Sequence, residues 1–215
     1  MNKLKAFATL LQKPDRLKAL LSYGHKGYLA NIGWFSSFDK QQAMDQQGDP
    51  LPWVTYSFID FIKPRLSKNL SIFEYGSGSS TLFYAKHVKR VVSVEHDEAW
   101  YNKIVKSKAQ NAEMIFSKLE KGGEYSKKAA TLGEQFDMII VDGRDRVNCC
   151  ISSVAALNPS GVLVLDDSER AEYEPARIFL LKAGFKELSF SGISPGLFYL
   201  KATSVFYKSD NCLHI

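Results

Sequence analysis

Apolar residues in this chain fall into short β-type runs, each ended by a polar or glycine-bearing turn and followed by apolar positions at helical spacing. Ile72 to Tyr75 is the sharpest run, and Gly76, Ser77, Gly78, Ser79 and Ser80 after it cannot continue a strand. Ser80 and Thr81 are good helix N-caps, and Leu82, Phe83, Ala85 and Val88 then give a short helix one apolar side. Val91 to Val94 is a second β run, and it ends on Glu95, nineteen residues after Gly76.

The same alternation continues to the C-terminus. Asp97 and Glu98 suit the start of a helix that buries Trp100, Ile104 and Val105, and Met114 to Phe116 is a third strand. Lys118 to Gly133 is weakly patterned and reads as a loop with room for a helix. Phe136 to Val141 is a fourth strand, ending in Asp142-Gly143-Arg144-Asp145-Arg146. Val147, Cys150, Ile151, Val154 and Leu157 predict the next helix, Asn158 to Gly161 a turn, and Val162 to Leu165 a fifth strand running into Asp166 and Asp167. Tyr173, Ala176, Leu180 and Ala183 predict a last helix stopped by Gly184, with closing strands at Phe185 to Phe190 and Val205 to Tyr207. Strands alternating with helices imply a doubly wound α/β sheet with right-handed crossovers. We expect one such domain over residues 51–215, opened by a helix from Leu51-Pro52-Trp53 to about Pro64.

Residues 1–50 read as a helical cap or lid. Leu4, Phe7, Ala8 and Leu11 share one helical face, and Leu17, Leu20 and Leu21 resume it after Pro14. Tyr23 to Asp49 is expected to be irregular or partly helical, with Trp34, Phe35 and Phe38 as its aromatic residues. The net charge of +5 at 215 residues sits entirely in Met1 to Lys26, where six basic residues face Asp15 alone. A uniformly basic nucleic-acid-binding face is therefore not expected, although the N-terminal helix has the character of one that docks on a partner or lies peripherally on an anionic membrane. No apolar run approaches the roughly 20 residues that span a bilayer, and Lys13, Asp15, Arg16 and Lys18 interrupt any signal-peptide core. A cytoplasmic protein is expected, with its three cysteines reduced.

A strand, a glycine turn, a helix N-terminus and an acid at the tip of the next strand together suit a nucleoside. A dinucleotide site wants a third glycine where Thr81 stands, and Glu74, two residues before Gly76, would repel a pyrophosphate. Glu74 suits a cationic ligand better, such as an amino acid joined to adenosine through a sulfonium. The E-x-G-x-G-x-S pattern resembles the first motif of class I S-adenosylmethionine-dependent methyltransferases. FEYGSGSSTLFYA and VVSVEHDEAWY are especially similar to small bacterial enzymes of this class associated with surface-polysaccharide or natural-product genes. The resemblance covers roughly Pro52 to Phe190. It implies a seven-stranded Rossmann-like sheet of order 3-2-1-4-5-7-6 with strand 7 antiparallel. It also implies S-adenosyl-L-methionine as cofactor, held by Glu95 at the ribose, by Gly76, Ser77, Gly78, Ser80 and Thr81 at the turn, by Glu74 at the ammonium, and by His96 and Asp142. Trp53 and Tyr56 would line the substrate side.

Acids at strand ends gather at one edge of such a sheet: Glu74, Glu95, Asp142, Asp166 and Asp167. Asp142 with Asp166 and Asp167 could hold Mg²⁺, which would lower the pKa of an acceptor hydroxyl, and similar places carry the ligands in divalent-metal O-methyltransferases. Arg144 and Arg146 stand close by and could instead pair with these acids or grip an anionic substrate. Without metal, Asp142 or Asp167 is the candidate general base. The Asn- or Asp-Pro-Pro-aromatic run of base-amine methylases is absent after strand 4, which favours a hydroxyl on a small-molecule or glycan-linked substrate over RNA or DNA. The rivals are an NAD-dependent oxidoreductase on a similar fold and a non-catalytic nucleoside-binding partner in a biosynthetic complex.

Overall fold

A computed structural model describes residues 9, 11–22 and 26–215. Strands β1 (Ser71–Tyr75), β2 (Arg90–Glu95), β3 (Ala112–Phe116), β4 (Phe136–Val141), β5 (Leu157–Asp166), β6 (Lys186–Gly192) and β7 (Lys201–Tyr207) form one sheet of order β3-β2-β1-β4-β5-β7-β6. The first five pair in parallel, and β7 runs antiparallel to both β5 and β6. This is the order and hand of strand 7 that the resemblance implied. β1, β2 and β4 are buried almost end to end because helices cover both faces of the sheet.

Alternation along β1 divides the core in two. Ile72 packs with Phe58 and Ile62 of α4 (Tyr56–Ile62) and Tyr84 of α5 (Ser79–His87). Phe73 and Tyr75 pack on the other face with Tyr125 of α7 (Glu124–Thr131) and Cys149 of α8 (Arg146–Ser153). Glu74 is in phase with Ile72 and so enters the α5 layer, a fully buried carboxylate (1% exposed) met there by the Thr81 and Ser93 hydroxyls. α6 (Glu98–Ile104) connects β2 to β3, and α9 (Glu174–Lys182) buries Ala176 and Leu180 beneath the second face. All three cysteines are free thiols.

Several boundaries differ from the sequence reading. The helix expected from Leu51 begins at Tyr56, because the Trp53 carbonyl accepts from Lys201 and the Thr55 N–H donates to Thr203, which commits that backbone to β7. Asn158 to Gly161 lies inside β5 as a bulge, with Phe136 opposite Leu157 and Met138 opposite Val162. Trp100 is 39% exposed rather than buried, and Val105 is half-buried. α5 is capped at Gly78, with Thr81 reaching back to accept from the Gly78 N–H. In the N-terminal segment, α1 (Pro14–Ser22) buries none of its residues, so Leu17, Leu20 and Leu21 do not pack it as a cap; Leu4, Phe7 and Ala8 lie outside the described residues. α2 (Tyr28–Asn31) and α3 (Trp34–Lys40) follow, and the Trp34 indole donates to the Leu197 carbonyl at 2.8 Å. Among the described residues no helix is long and apolar enough to cross a membrane.

The ligand side of the sheet opens where β1 and β4 diverge in connection, and there two glycines meet. Gly76 has φ +95°, and a side chain on it would stand 3.2 Å from the Gly143 Cα. A Cβ on Gly143 would lie 2.9 Å from the Gly76 nitrogen and would also strike the buried Tyr125 hydroxyl. Gly143→Ala is therefore expected to cost about 1–3 kcal/mol by overpacking, read as a fall of several degrees in the thermal midpoint by circular dichroism.

Candidate active site

At the tips of β1 and β2 two carboxylates are held without a positive partner of fixed charge. Glu74 Oε2 accepts from the Thr81 hydroxyl at 2.6 Å and the Ser93 hydroxyl at 2.8 Å, and its Oε1 is buried with no hydrogen-bond partner. Burial pushes the Glu74 carboxyl above its usual range, the hydroxyls of Ser80, Thr81 and Ser93 oppose this, and the nearby Glu95 charge adds to it. Glu95 Oε1 accepts from the backbone N–H groups of His96 and Asp97, at 2.8 and 3.0 Å, and Oε2 from the Ser77 hydroxyl at 2.8 Å. The His96 ring nitrogen lies 2.9 Å from Oε1. Asp97 caps α6 by accepting from the Trp100 N–H, and the Trp100 indole reaches back to the Ser77 carbonyl at 2.9 Å. Trp100 thus walls the glycine turn.

At the tips of β4 and β5 the acids have cationic partners. Asp166 Oδ2 accepts from Lys201 Nζ at 2.6 Å and Oδ1 from the Thr203 hydroxyl at 2.8 Å. Asp167, held at φ +54°, meets Lys201 at 2.9 Å, Arg146 at 3.2 Å and Arg170 at 2.7 Å. Burial alone would raise the Asp167 carboxyl, but these three cations outweigh it and hold it low. Arg146 donates to the carbonyls of Gly143, Asp166 and Asp142 and to Asp142 Oδ1. The Asp142 carboxyl is pushed well up by burial and by the neighbouring Asp166 charge. Its side chain is 23% exposed, against 1% for Asp166 and 6% for Asp167. Of the three acids, Asp142 faces the open space.

That space is one cavity of about 810 Å³ joining both ends, in the upper part of the ~300–1,000 Å³ range for ligand sites. Glu74, Gly76, Ser77, Gly78, Ser80, Glu95, His96, Asp142, Arg144, Arg146, Asp166, Asp167 and Trp53 all line it, so most of the residues singled out in the sequence converge. Two do not reach it. Thr81 (1% exposed) stands behind the turn as the partner of Glu74, and Tyr56 (3% exposed) belongs to the core beneath. Trp100, Arg170, Tyr199 and Lys201 also line the cavity and were not singled out as site residues. Lys201 could not be singled out because its place depends on where β7 begins.

The donor set does not fit a divalent ion. The Lys201 ammonium donates to Asp166 Oδ2 and the Trp53 carbonyl and stands 2.9 Å from Asp167 Oδ1 as an ion pair, so a monovalent cation already stands where Mg²⁺ would bridge the acids. Among the described residues no group of three or more His, Cys, Asp or Glu side chains is arranged to hold a metal.

No protein-family model and no curated protein matches the chain. Solved structures do. The O-methyltransferase TomG of Streptomyces achromogenes, involved in tomaymycin synthesis and solved with S-adenosylmethionine, is 16% identical with a TM-score of 0.55 over 90% of this chain and 96% of its own. The precorrin-6y C5,15-methyltransferase of Geobacter metallireducens is 15% identical, TM-score 0.54, over 80% of this chain and 96% of its own. A methyltransferase-like protein from Silicibacter pomeroyi is 23% identical, TM-score 0.53, over 73% and 89%. The chain has the Rossmann-like fold of the class I S-adenosylmethionine-dependent methyltransferases.

Lys201→Ala should lose about 3–5 kcal/mol in metal-free buffer, because two buried acids lose a shared cation. It should also open an oxygen-lined space that takes up Mn²⁺ with partial recovery of the melting temperature. Electron paramagnetic resonance checks the uptake, and Mn²⁺ binding to the wild-type cluster would contradict the misfit.

Proposed function

We propose that this chain binds S-adenosylmethionine and transfers its methyl group to a hydroxyl of a small-molecule or sugar acceptor. The observation that carries the reading is Glu74: a buried carboxylate oxygen with no partner opens beside a glycine turn whose next strand ends in Glu95. Two acids without a fixed counter-charge favour a ligand that brings a cation and a diol. Glu74 would hold the ammonium, Glu95 the ribose hydroxyls through lone pairs that Ser77 and the backbone leave free, and Trp100 the adenine side. When bound, the cofactor supplies a methyl group on a sulfonium; the acceptor oxygen takes the methyl and its proton goes to a base.

Asp142 is that base in this reading. It is the most open of the three acids at the β4 and β5 tips, and a raised carboxyl is a stronger proton acceptor than Asp167, which three cations hold low. Arg146 fixes its orientation through the Oδ1 bond at 3.1 Å. The segment before residue 51 serves as a lid, with Gln41, Met44 and Pro50 on the cavity wall. The remaining work is positioning of the hydroxyl in line with the methyl.

Calorimetry tests the cofactor directly. Loss of the charged hydrogen-bond acceptor in Glu95→Ala should weaken S-adenosylmethionine and S-adenosylhomocysteine by roughly ten- to a hundredfold. Tight binding of NAD with no binding of either would sink the reading. Glu74→Gln should weaken the same ligands while the free protein melts no lower than wild type at pH 8. A carboxyl whose folded pKa is raised costs stability once the pH exceeds its unfolded value of about 4.3, and the neutral amide removes that cost.

The base makes a separate prediction. Only ionised Asp142 accepts a proton, so kcat/KM should rise with pH through its elevated pKa and fall away on the acid side. Asp142→Asn should lower kcat by about 10²–10⁴ and flatten that rise. An unchanged profile would assign the proton elsewhere.

A further inference from the structure

The cavity lining carries two groups of charge. From the tips of β1 and β2 and from α6 come Glu74, Glu95 and Asp97 with Lys103. From the tips and loops of β4 and β5 and from β7 come Arg144, Arg146, Arg170 and Lys201 with Asp142, Asp166 and Asp167, so in this second group a cation remains in surplus even with every carboxylate ionised. Geometry shows which cations are uncommitted. Lys201 spends its ammonium on three oxygens, and Arg146 spends Nε, Nη1 and Nη2 on Gly143, Asp166 and Asp142. Arg170 gives Nη2 to Asp167 and keeps the rest of its fork. The Arg144 guanidinium makes no hydrogen bond or ion pair to any described residue, although its backbone N–H donates to the Tyr125 hydroxyl. The surplus is therefore carried by two guanidinium groups, Arg144 from the β4–α8 loop and Arg170 from the β5–α9 loop, both on the cavity wall.

The same cavity also has aromatic surface. Trp53 is 46% exposed and Tyr199 51%, and both line the cavity. The Trp53 indole N–H is spent on the Pro195 carbonyl at 2.9 Å, so what Trp53 offers a ligand is its ring face.

We infer that the methyl acceptor is an anionic hydroxylated ring, its face on Trp53 and Tyr199 and its carboxylate or phosphate on Arg144 and Arg170. The guanidinium fork matches either anion by paired hydrogen bonds, and the shared chemistry covers sugar acids, sugar phosphates and hydroxylated aromatic acids. The inference rests on reading the cavity as a methyl-transfer site. It goes further by naming the class of molecule that accepts the methyl group.

The test uses the intact chain saturated with S-adenosylhomocysteine, titrated with benzoate, phenyl phosphate and the neutral benzyl alcohol. The anions are expected to bind at least about tenfold more tightly than benzyl alcohol, and Arg144→Ala and Arg170→Ala each to weaken them by about tenfold, with the affinity for S-adenosylhomocysteine kept. Added NaCl should weaken the anions and leave benzyl alcohol alone. Benzyl alcohol binding as tightly as benzoate, or no anion binding at all, overturns the inference. So does a loss of S-adenosylhomocysteine affinity in Arg144→Ala with anion binding intact, which would put that guanidinium on the cofactor's carboxylate. Failure of S-adenosylhomocysteine to bind the wild type overturns the methyl-transfer reading itself and is seen before any anion is added.

Discussion

The site depends on one backbone contact. Where β1 and β4 lie side by side and their connections leave in opposite directions, Gly76 and Gly143 approach until neither has room for a side chain. That approach lets the turn after β1 and the loop after β4 share a single cavity instead of being separated by side chains. Three charged groups of the site sit directly beside this seam: Glu74 two residues before Gly76, and Asp142 and Arg144 on either side of Gly143. A doubly wound sheet always offers a crevice at its switch point; here its width is set by the absence of two β-carbons.

The seam separates two electrostatic regimes. On one side the acids are surrounded by hydroxyls and N–H groups, which solvate a carboxylate without cancelling its charge. On the other side each acid has a cation within about hydrogen-bonding distance, and the acids become scaffolding that fixes the cations. A carboxylate at a strand tip is thus not one kind of feature. Its chemistry follows from what the neighbouring strand and loop bring to it, and Asp166 and Glu74 are nearly equally buried with opposite consequences.

This is also where legibility in the sequence ended. The β1–α5–β2 unit could be read because its signals are local: the apolar runs, the glycines and Glu95 fall within a single stretch, and the strand order followed from the family it resembles. The β4 and β5 acids were visible as residues but not as a cluster with a fixed occupant. Lys201 lies 34 residues beyond Asp167, and its ammonium reaches the acids only because β7 runs antiparallel beside β5 and starts four residues earlier than the Val205 run suggests. Trp100 misled for a related reason. Its spacing within α6 suits burial, but a glycine turn alongside gave the indole a carbonyl to bond and a wall to form. Tyr56 was the converse, an aromatic at a plausible distance whose helix phase turns it into the core.

The Leu197 carbonyl accepts from Trp34, the Pro195 carbonyl from Trp53, and Gly196 packs on the backbone of Ser37. The α3 segment, the stretch before α4 and the loop between β6 and β7 are therefore stitched together by main-chain acceptors that no side-chain substitution in the loop removes. The Tyr56 N–H adds a further tie, to the Ile193 carbonyl. The order of this rim is carried by backbone oxygens of the loop, and the side chains whose loss would loosen it stand on the other two pieces: a change at Trp34 or Trp53 unpicks a seam that a side-chain change within the loop leaves in place.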